Sequence, residues 1–186
     1  MRAAFRLPLT SALLVACIHF SGCAQEEKAL RTKPSETPTG VAPYRIFNPE
    51  TMPKPLGRYS QVVEVSGGKI VYIAGQVPVD RSGSLVGKDD LRAQAQQVFE
   101  NLKAAIEAAG GDFHNVIKLN YYCAASVDPA QIPVVREIID KYVDTANPPT
   151  GIFLFVNRLA RPDWLIEVEA VAVIESSPAT SRGNSR

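Results

Sequence analysis

The chain has 186 residues, which suffices for one domain with appendages but not for two well-packed domains. Hydrophobic residues make up 46% of the chain and charged residues 21%, a composition typical of a globular protein and not of a disordered one. The formal net charge is +1 and the sequence has no sustained run of lysine or arginine, which excludes a basic stripe for a phosphate backbone. We therefore expect no nucleic-acid partner.

Residues 1–23 have the pattern of an export signal. Arg2 and Arg6 precede an apolar stretch, residues 7–20, that is too short to span a bilayer as a helix. The stretch leads into Phe-Ser-Gly-Cys, which is typical of a lipobox in which Cys23 is lipidated after cleavage; ordinary cleavage after Ala24 is the alternative. Because Ala24 and not an aspartate follows Cys23, we expect an exported, periplasmic protein anchored at the outer membrane through its lipid alone.

Two polar segments flank the expected domain. Residues 24–45 are rich in Lys, Glu, Thr, Ser and Pro and predict a flexible linker, and residues 176–186 predict a disordered tail. The domain is expected to cover residues 46–175. Cys123 is the one cysteine inside it, so no disulfide can form within the domain. Its apolar neighbours predict a buried structural thiol rather than a nucleophile.

The first half of the domain predicts two strands and a helix. Residues 61–65 and 69–74 are β-branched runs separated by Gly67 and Gly68, which favours a tight hairpin. After a loop at 78–88, Asp89 or Asp90 is expected to cap a helix with one apolar stripe. Two glycines at 110 and 111 end this helix.

The second half predicts a strand at 116–124, a helix at 132–143 and strands at 151–157 and 164–174. The order ββαβαββ predicts an α/β (α+β) fold, a single sheet with both helices on one face. Residues 152–156 are apolar throughout, so the second face of the sheet also needs a cover. Oligomerisation is the simplest cover.

Four motifs, in order, resemble those of the RidA/YjgF family. Pro-Leu-Gly-Arg-Tyr-Ser-Gln at 55–61 is similar to the opening P-x-G-P-Y-S-Q, and Ala-Gly-Gln-Val-Pro at 74–78 is similar to S-G-Q-I-P. The helix carries Gln94, Asn101-Leu102 and Ala-Ala-Gly-Gly at 108–111, similar to the family's Q…N-L…A-A-G. Ile-Glu-Val-Glu-Ala-Val-Ala at 166–172 is similar to the closing I-E-I-E-A-I-A.

The resemblance implies a chorismate-mutase-like fold and a homotrimer whose sheets form a central barrel, with three clefts between subunits. It also implies hydrolysis of reactive enamines and imines to 2-oxo acids and ammonia, without a metal or organic cofactor. In active members an arginine pairs with the substrate carboxylate, and a glutamate with nearby backbone groups positions water. A guanidinium suits a small anionic substrate because it binds a carboxylate through two hydrogen bonds.

Carried over residue by residue, the resemblance implies catalytic roles for Glu167 and Tyr59 and substrate binding at Gly75 and Gln76. Because Pro149 and Arg158-Leu159 keep the family's spacing, the resemblance implies that Gly151 occupies the arginine's position; counting from Pro148 instead gives Thr150, which is not a cation either. The family serine corresponds to Ala74 and the cleft asparagine to about Val134. The carboxylate clamp is therefore expected to be missing, and no histidine pair exists for a metal, since His19 leaves with the signal and His114 is alone.

Two hypotheses of function remain open. The first is a divergent family member that binds a small, uncharged metabolite at the interface clefts, with weak or no imine hydrolysis. The second is a true enamine or imine deaminase with altered substrate choice, in which Glu167 and Tyr59 act. Arg58 replaces a family proline and is a candidate for the missing cation, an ordinary surface arginine being the alternative. Export away from the cytoplasm, where such imines arise, favours the first hypothesis.

Overall fold

The computed structural model of the protein describes residues 43–175. The expected signal sequence, Cys23, nearly all of the expected linker and the tail at 176–186 lie outside the described residues. Within residues 43–175, no helix combines the length and the apolar character that crossing a membrane requires.

The described chain begins with three strands, continues with a helix, a strand and a second helix, and ends with two strands. Short 3₁₀ turns at Phe113–Asn115 and Pro129–Gln131 precede the fourth strand and the second helix. The elements in chain order are β1 Tyr44–Phe47, β2 Val62–Val65, β3 Lys69–Gln76, α1 Leu91–Ala108, β4 Val116–Ala124, α2 Ile132–Ile139, β5 Thr150–Val156 and β6 Ile166–Ile174.

The main sheet has four strands in the order β3-β6-β4-β5. The β4–β5 pair is parallel and is connected through α2, whereas β6 is antiparallel to both of its neighbours. Both helices contribute buried apolar side chains to one core with these strands, including Phe99, Leu102, Val135, Ile138, Leu119, Ile166 and Val168. This confirms the predicted mixed α+β fold with a sheet and two helices.

The beginning of the domain differs from the prediction in two respects. The strand β1 was not predicted, and it forms a separate two-stranded sheet with β2. The predicted hairpin between β2 and β3 is therefore wrong. Gly68 does adopt the positive φ of a turn, at 85°, but the chain then passes to the main sheet. There Lys69 pairs with Ile174, the last residue of β6.

The helices follow the sequence pattern more closely. The side chain of Asp90 caps α1 by accepting a hydrogen bond from the Ala93 N–H at 3.1 Å, and Gly110 follows the helix with a φ of 90°. The helix α2 ends at Ile139, four residues before the predicted end. There the N–H groups of Lys141 and Tyr142 donate to carbonyls three residues back, which tightens and ends the last turn.

One face of the main sheet carries no helix. Alternation along β6 buries Ile166, Val168 and Ala170 in the core and turns the residues between them to the opposite side. We call this opposite side the helix-free face; it is formed by Ile70, Tyr72, Lys118, Asn120, Tyr122, Ile152, Leu154, Glu167, Glu169 and Val171. Its large apolar side chains are exposed to solvent: Tyr72 is 80% exposed and Ile152 is 47% exposed.

Candidate functional site

Glu167 lies on the helix-free face and is packed against the end of β3. A Cβ atom added to Gly75 would overlap the Glu167 Oε1 atom and would lie 2.9 Å from its Cδ. The absence of a side chain at Gly75 therefore makes room for this carboxylate. The resemblance grouped these two residues, and the fold places them side by side.

The electrostatic setting of Glu167 suits a group that exchanges a proton. Burial raises its pKa, and the negative charge of Glu169, two residues further along β6, raises it further. Among the described residues, no side chain or backbone group donates a hydrogen bond to the Glu167 carboxylate. A half-buried carboxylate of this kind can orient a water molecule or accept a proton from one.

Glu169 has a different environment from its neighbour. Its Oε1 accepts a hydrogen bond from Asn120 Nδ2 at 2.7 Å and one from the Tyr122 hydroxyl at 3.2 Å. Burial, followed by this contact with Glu169, raises the pKa of Tyr122. Glu169 is therefore held by β4, and Glu167 is the free member of the pair.

Asn120 and Tyr122 were not predicted from the sequence as members of this site. They lie two residues apart on β4, so they share one face of the strand, and they stand opposite Glu169 and Glu167 respectively. That alternation was visible in the sequence. What was not visible is the register of β4 against β6, which brings the two pairs together.

Gln76 and Ala74 flank Gly75 at the end of β3. The Gln76 Nε2 donates to the carbonyl of Ala74 at 3.1 Å, and its side chain is half-buried. Gln76 pairs with Val168 across a register shift in the β3–β6 ladder. Three of the predicted residues, Gly75, Gln76 and Glu167, are therefore gathered at one end of this strand pair.

Tyr59 lies elsewhere, beside the start of β5. The buried Ser60 donates its backbone N–H to the carbonyl of Pro149 at 3.3 Å, which ties the segment carrying Tyr59 to the chain just before Gly151. Tyr59 itself is half-buried. The fold thus brings Tyr59 near Gly151, forming a second group of predicted residues.

Gly151 is required by the close approach of two strands. It stands opposite Leu119 of β4, and a Cβ atom at this position would overlap the Leu119 carbonyl oxygen and lie 2.8 Å from the carbonyl carbon. An arginine here would force the backbone of β4 or β5 to move. Gly151 is therefore a structural glycine.

Arg58 is engaged by another residue. Its guanidinium forms an ion pair with the carboxylate of Asp140, the residue that follows α2. If Arg58 bound substrate, its ion pair with Asp140 would have to break. The half-buried Asp140 carboxylate would then lose its partner. This ion pair gives Arg58 a structural role.

Gly151, in the second group, and Glu167, in the first, lie apart within one chain. Through the β4 ladder, Gly151 is level with Ala170 whereas Glu167 is level with Leu154, three residues away or roughly 10 Å along the strands. Gly151 faces the core side, like its partner Leu119, and Glu167 the helix-free face.

Other sequence expectations concern a nucleophile and a metal. Cys123 is fully buried, and burial raises its pKa to about 12, so the group is a thiol and not a reactive thiolate at neutral pH. His114 is exposed. Within residues 43–175, no group of three His, Cys, Asp or Glu side chains is placed to hold a metal ion.

The chain is similar to known proteins in both sequence and structure. A family model described as Endoribonuclease L-PSP matches residues 49–174. A RutC family protein of Pyrococcus horikoshii is 38% identical over 126 residues, covering 68% of this chain and 94% of that protein. A Dermatophagoides farinae protein named 2-iminobutanoate/2-iminopropanoate deaminase is 30% identical over 135 residues, covering 73% of this chain and 100% of that protein. The crystal structure of a Rid family protein of unknown function from Yersinia pestis superposes with a TM-score of 0.65 and 38% identity, covering 71% of this chain and 99% of that one.

Proposed function

This chain belongs to the Rid family, also described as Endoribonuclease L-PSP, and from that premise we propose that it binds a small uncharged metabolite, with weak or no imine hydrolysis. The observation that carries the proposal is Gly151, where the Leu119 carbonyl leaves no room for a side chain. By the resemblance, this is the position at which active members hold the substrate carboxylate with an arginine.

The charges around Glu167 support an uncharged ligand. Glu167 and Glu169 face the same side, and Arg58 is held by Asp140. Lys118 is the cation on the helix-free face, but it stands level with Val171, four residues or roughly 13 Å along β6 from Glu167. A carboxylate placed beside Glu167 would therefore meet like charge without a fixed guanidinium to offset it.

The proposed cleft lies between subunits of a homotrimer. The exposed apolar side chains of the helix-free face support an assembly that covers them, because monomers rarely leave such a surface in water. The separation of Glu167 from Tyr59 and Gly151 within one chain supports a site shared between copies. In this arrangement one copy supplies the Glu167 group and its neighbour supplies the Tyr59 group.

A matched pair of ligands tests the preference for an uncharged molecule. The probes are 2-oxobutanoate and its uncharged amide, 2-oxobutanamide, titrated into the full chain while backbone amide NMR signals of Gly75, Gln76 and Glu167 are followed. We expect the amide to shift these signals at lower concentration than the carboxylate. Tighter binding of 2-oxobutanoate would contradict the proposal, because it would require a cation that holds the carboxylate.

An enamine or imine deaminase is the second candidate function. The observation that favours it is the free, half-buried Glu167 carboxylate with its raised pKa, which is suited to positioning water. A relative at 30% identity carries the name of such a deaminase. In this alternative Glu167 activates water and Tyr59 of the neighbouring subunit orients the substrate, so Glu167→Gln would abolish hydrolysis.

Ribonuclease activity, which the family description mentions, is not the function we propose. The chain has a net charge of +1 and no basic run for a phosphate backbone. It also offers no histidine pair for general acid–base cleavage, since His114 is the one histidine of the expected mature chain.

We further propose that the protein is an exported, periplasmic lipoprotein of the outer membrane. The support is the sequence pattern of residues 1–23, which ends in Cys23. Labelling of cells with a radioactive fatty acid tests this directly. Labelled wild-type chain and unlabelled Cys23→Ser chain are expected, whereas an unlabelled wild-type chain would rule out the lipid anchor.

A further inference from the structure

A cavity of about 300 Å³ lies away from Glu167, between β1, the 3₁₀ turn before β4 and the loop that follows α2. None of Gly75, Gln76, Glu167, Tyr59 and Gly151 lines it, so its lining is distinct from both groups of the proposed metabolite site. Its lining comes from three separate parts of the chain: Tyr44 and Ile46, then Phe113, His114 and Val116, then Val143, Asp144, Asn147 and Pro149.

Two aromatic rings form fixed walls of this cavity. The Tyr44 hydroxyl donates a hydrogen bond to the His114 carbonyl, which joins β1 to the turn before β4. Phe113 packs on Phe99 and Tyr142, with ring centroids 5.9 Å and 4.9 Å apart. Both rings are therefore held in place before any ligand enters.

The charge of the cavity comes from Asp144. Its Oδ1 accepts from the Ala146 N–H at 2.8 Å and its Oδ2 accepts from Asn147 Nδ2 at 3.1 Å. The Asn147 bond first, then the Ala146 bond and the nearby His114, lower the pKa of Asp144, so this carboxylate is ionised at neutral pH. No lysine or arginine is among the residues that line the cavity.

Tyr44 is uncharged under the same conditions. Burial, with a smaller effect of the Asp112 carboxylate, raises the pKa of its hydroxyl above the usual value. The cavity thus presents neutral aromatic rings and one carboxylate, with further apolar wall from Ile46, Val143 and Pro149. Aromatic faces attract cations, and a nearby carboxylate adds to that attraction.

We propose that this cavity binds an organic cation with a compact apolar body, such as an alkylated ammonium group, held between Tyr44, Phe113 and Asp144. The volume suits a ligand of this size, since small-molecule sites begin at about 300 Å³. A bulky neutral molecule would lose the contact with Asp144, and an anion would meet this carboxylate with no lysine or arginine in the lining to offset its charge. The site is independent of the metabolite site, so either proposal can fail without the other.

The test compares two probes of nearly equal shape, choline and its uncharged isostere 3,3-dimethylbutan-1-ol, by calorimetric titration of the full chain. We expect choline to bind about five- to tenfold more tightly, the size of effect that a cation on an aromatic face provides. Backbone amide NMR shifts should map choline to residues 113–116 and 143–149. Equal affinities, no binding of choline, or shifts confined to other residues would overturn the proposal.

Two variants identify the groups responsible. Asp144→Asn retains an oxygen for the Ala146 N–H but removes the charge, and it should weaken choline binding while leaving the affinity for the neutral probe unchanged. Asp128→Asn is the matched control, because Asp128 Oδ1 accepts from the Ala130 N–H at 2.9 Å in a similar turn outside the cavity. Choline binding that Asp144→Asn leaves unchanged, or that both variants weaken equally, would overturn the assignment.

Discussion

The Glu167 carboxylate occupies the space that a side chain on Gly75 would need. The two residues lie on neighbouring strands, β6 and β3, next to a register shift in their pairing. Because the first-contacted atom is the far end of a flexible side chain, an added methyl group would displace the carboxylate rather than the backbone. The position of Glu167 therefore depends on the glycine.

We predict that Gly75→Ala moves Glu167 out of its half-buried position and lowers its pKa toward the ordinary value. Titration of the Glu167 side-chain carboxyl by carbon NMR measures this shift. The free energy of unfolding should change by less than about 1 kcal/mol, because Glu167 can turn into solvent. Gly67→Ala is the control, since a Cβ there meets nothing within 4 Å. An unchanged Glu167 titration in Gly75→Ala would contradict the prediction.

The raised pKa of Glu167 predicts a pH dependence of stability with a definite sign. Between its ordinary pKa of 4.5 and its higher folded-state pKa, the folded protein binds more protons at this site than the unfolded chain. The contribution of Glu167 to the free energy of unfolding is therefore most favourable at low pH, and it is lost as the pH rises through the folded-state pKa. Glu167→Gln removes that loss.

Urea unfolding of wild-type chain and Glu167→Gln between pH 4 and 7.5 measures this effect. We expect the variant to gain stability relative to wild type as the pH rises through this window. Glu50→Gln, at an exposed glutamate outside the site, is the control and should run parallel to wild type. A constant difference between Glu167→Gln and wild type across the window would contradict the assignment.

The contact between Gly151 and the Leu119 carbonyl predicts that even the smallest side chain is costly at this position. Gly151→Ala should lower the free energy of unfolding by about 1–3 kcal/mol, because the strand backbones must separate. Gly151→Arg should be destabilised at least as much, so adding the arginine alone does not restore a carboxylate clamp. Denaturant unfolding checks both variants, and a wild-type stability for Gly151→Ala would show that β4 and β5 are not this close.

The ion pair between Arg58 and Asp140 predicts a role for Arg58 in the fold. Arg58→Ala should reduce stability by about 1 kcal/mol or less, because the pair is partly exposed to solvent. In the double variant with Asp140→Asn, the loss should be smaller than the sum of the two single losses. Additive losses in this double-mutant cycle would show that the two charges do not interact.

The sequence was informative where one element determines its own structure. The position of α1 was predicted from its apolar stripe, Asp90 and Gly110, because capping and periodicity are local properties. The strand β1 was missed because Tyr44–Phe47 is only four residues long and adjoins a polar segment. The wrong prediction of a β2–β3 hairpin has a related cause. Gly68 indicates a turn, but a turn does not determine which strand the next segment pairs with.

The candidate site shows the same limit. The resemblance identified Glu167 and Gly75 as individual residues, but their contact depends on how β3 is aligned with β6. Asn120 and Tyr122 were missed because the distinction between Glu167 and Glu169 arises from the β4 register. The reason for glycine at position 151 also became visible only when Leu119 was placed opposite it.

The most direct test of the central claim is imine hydrolysis by the full chain. The substrate 2-iminobutanoate would be generated in the assay and its decay followed with a carbonyl trap, with the related Dermatophagoides farinae deaminase measured in parallel. Circular dichroism and light scattering on the same sample would establish that the chain is folded and assembled. The absence of a carboxylate clamp predicts a rate at or slightly above the buffer control and far below that of the Dermatophagoides farinae deaminase. A rate comparable to that of this deaminase, which disappears in Glu167→Gln, would contradict this account and establish a deaminase.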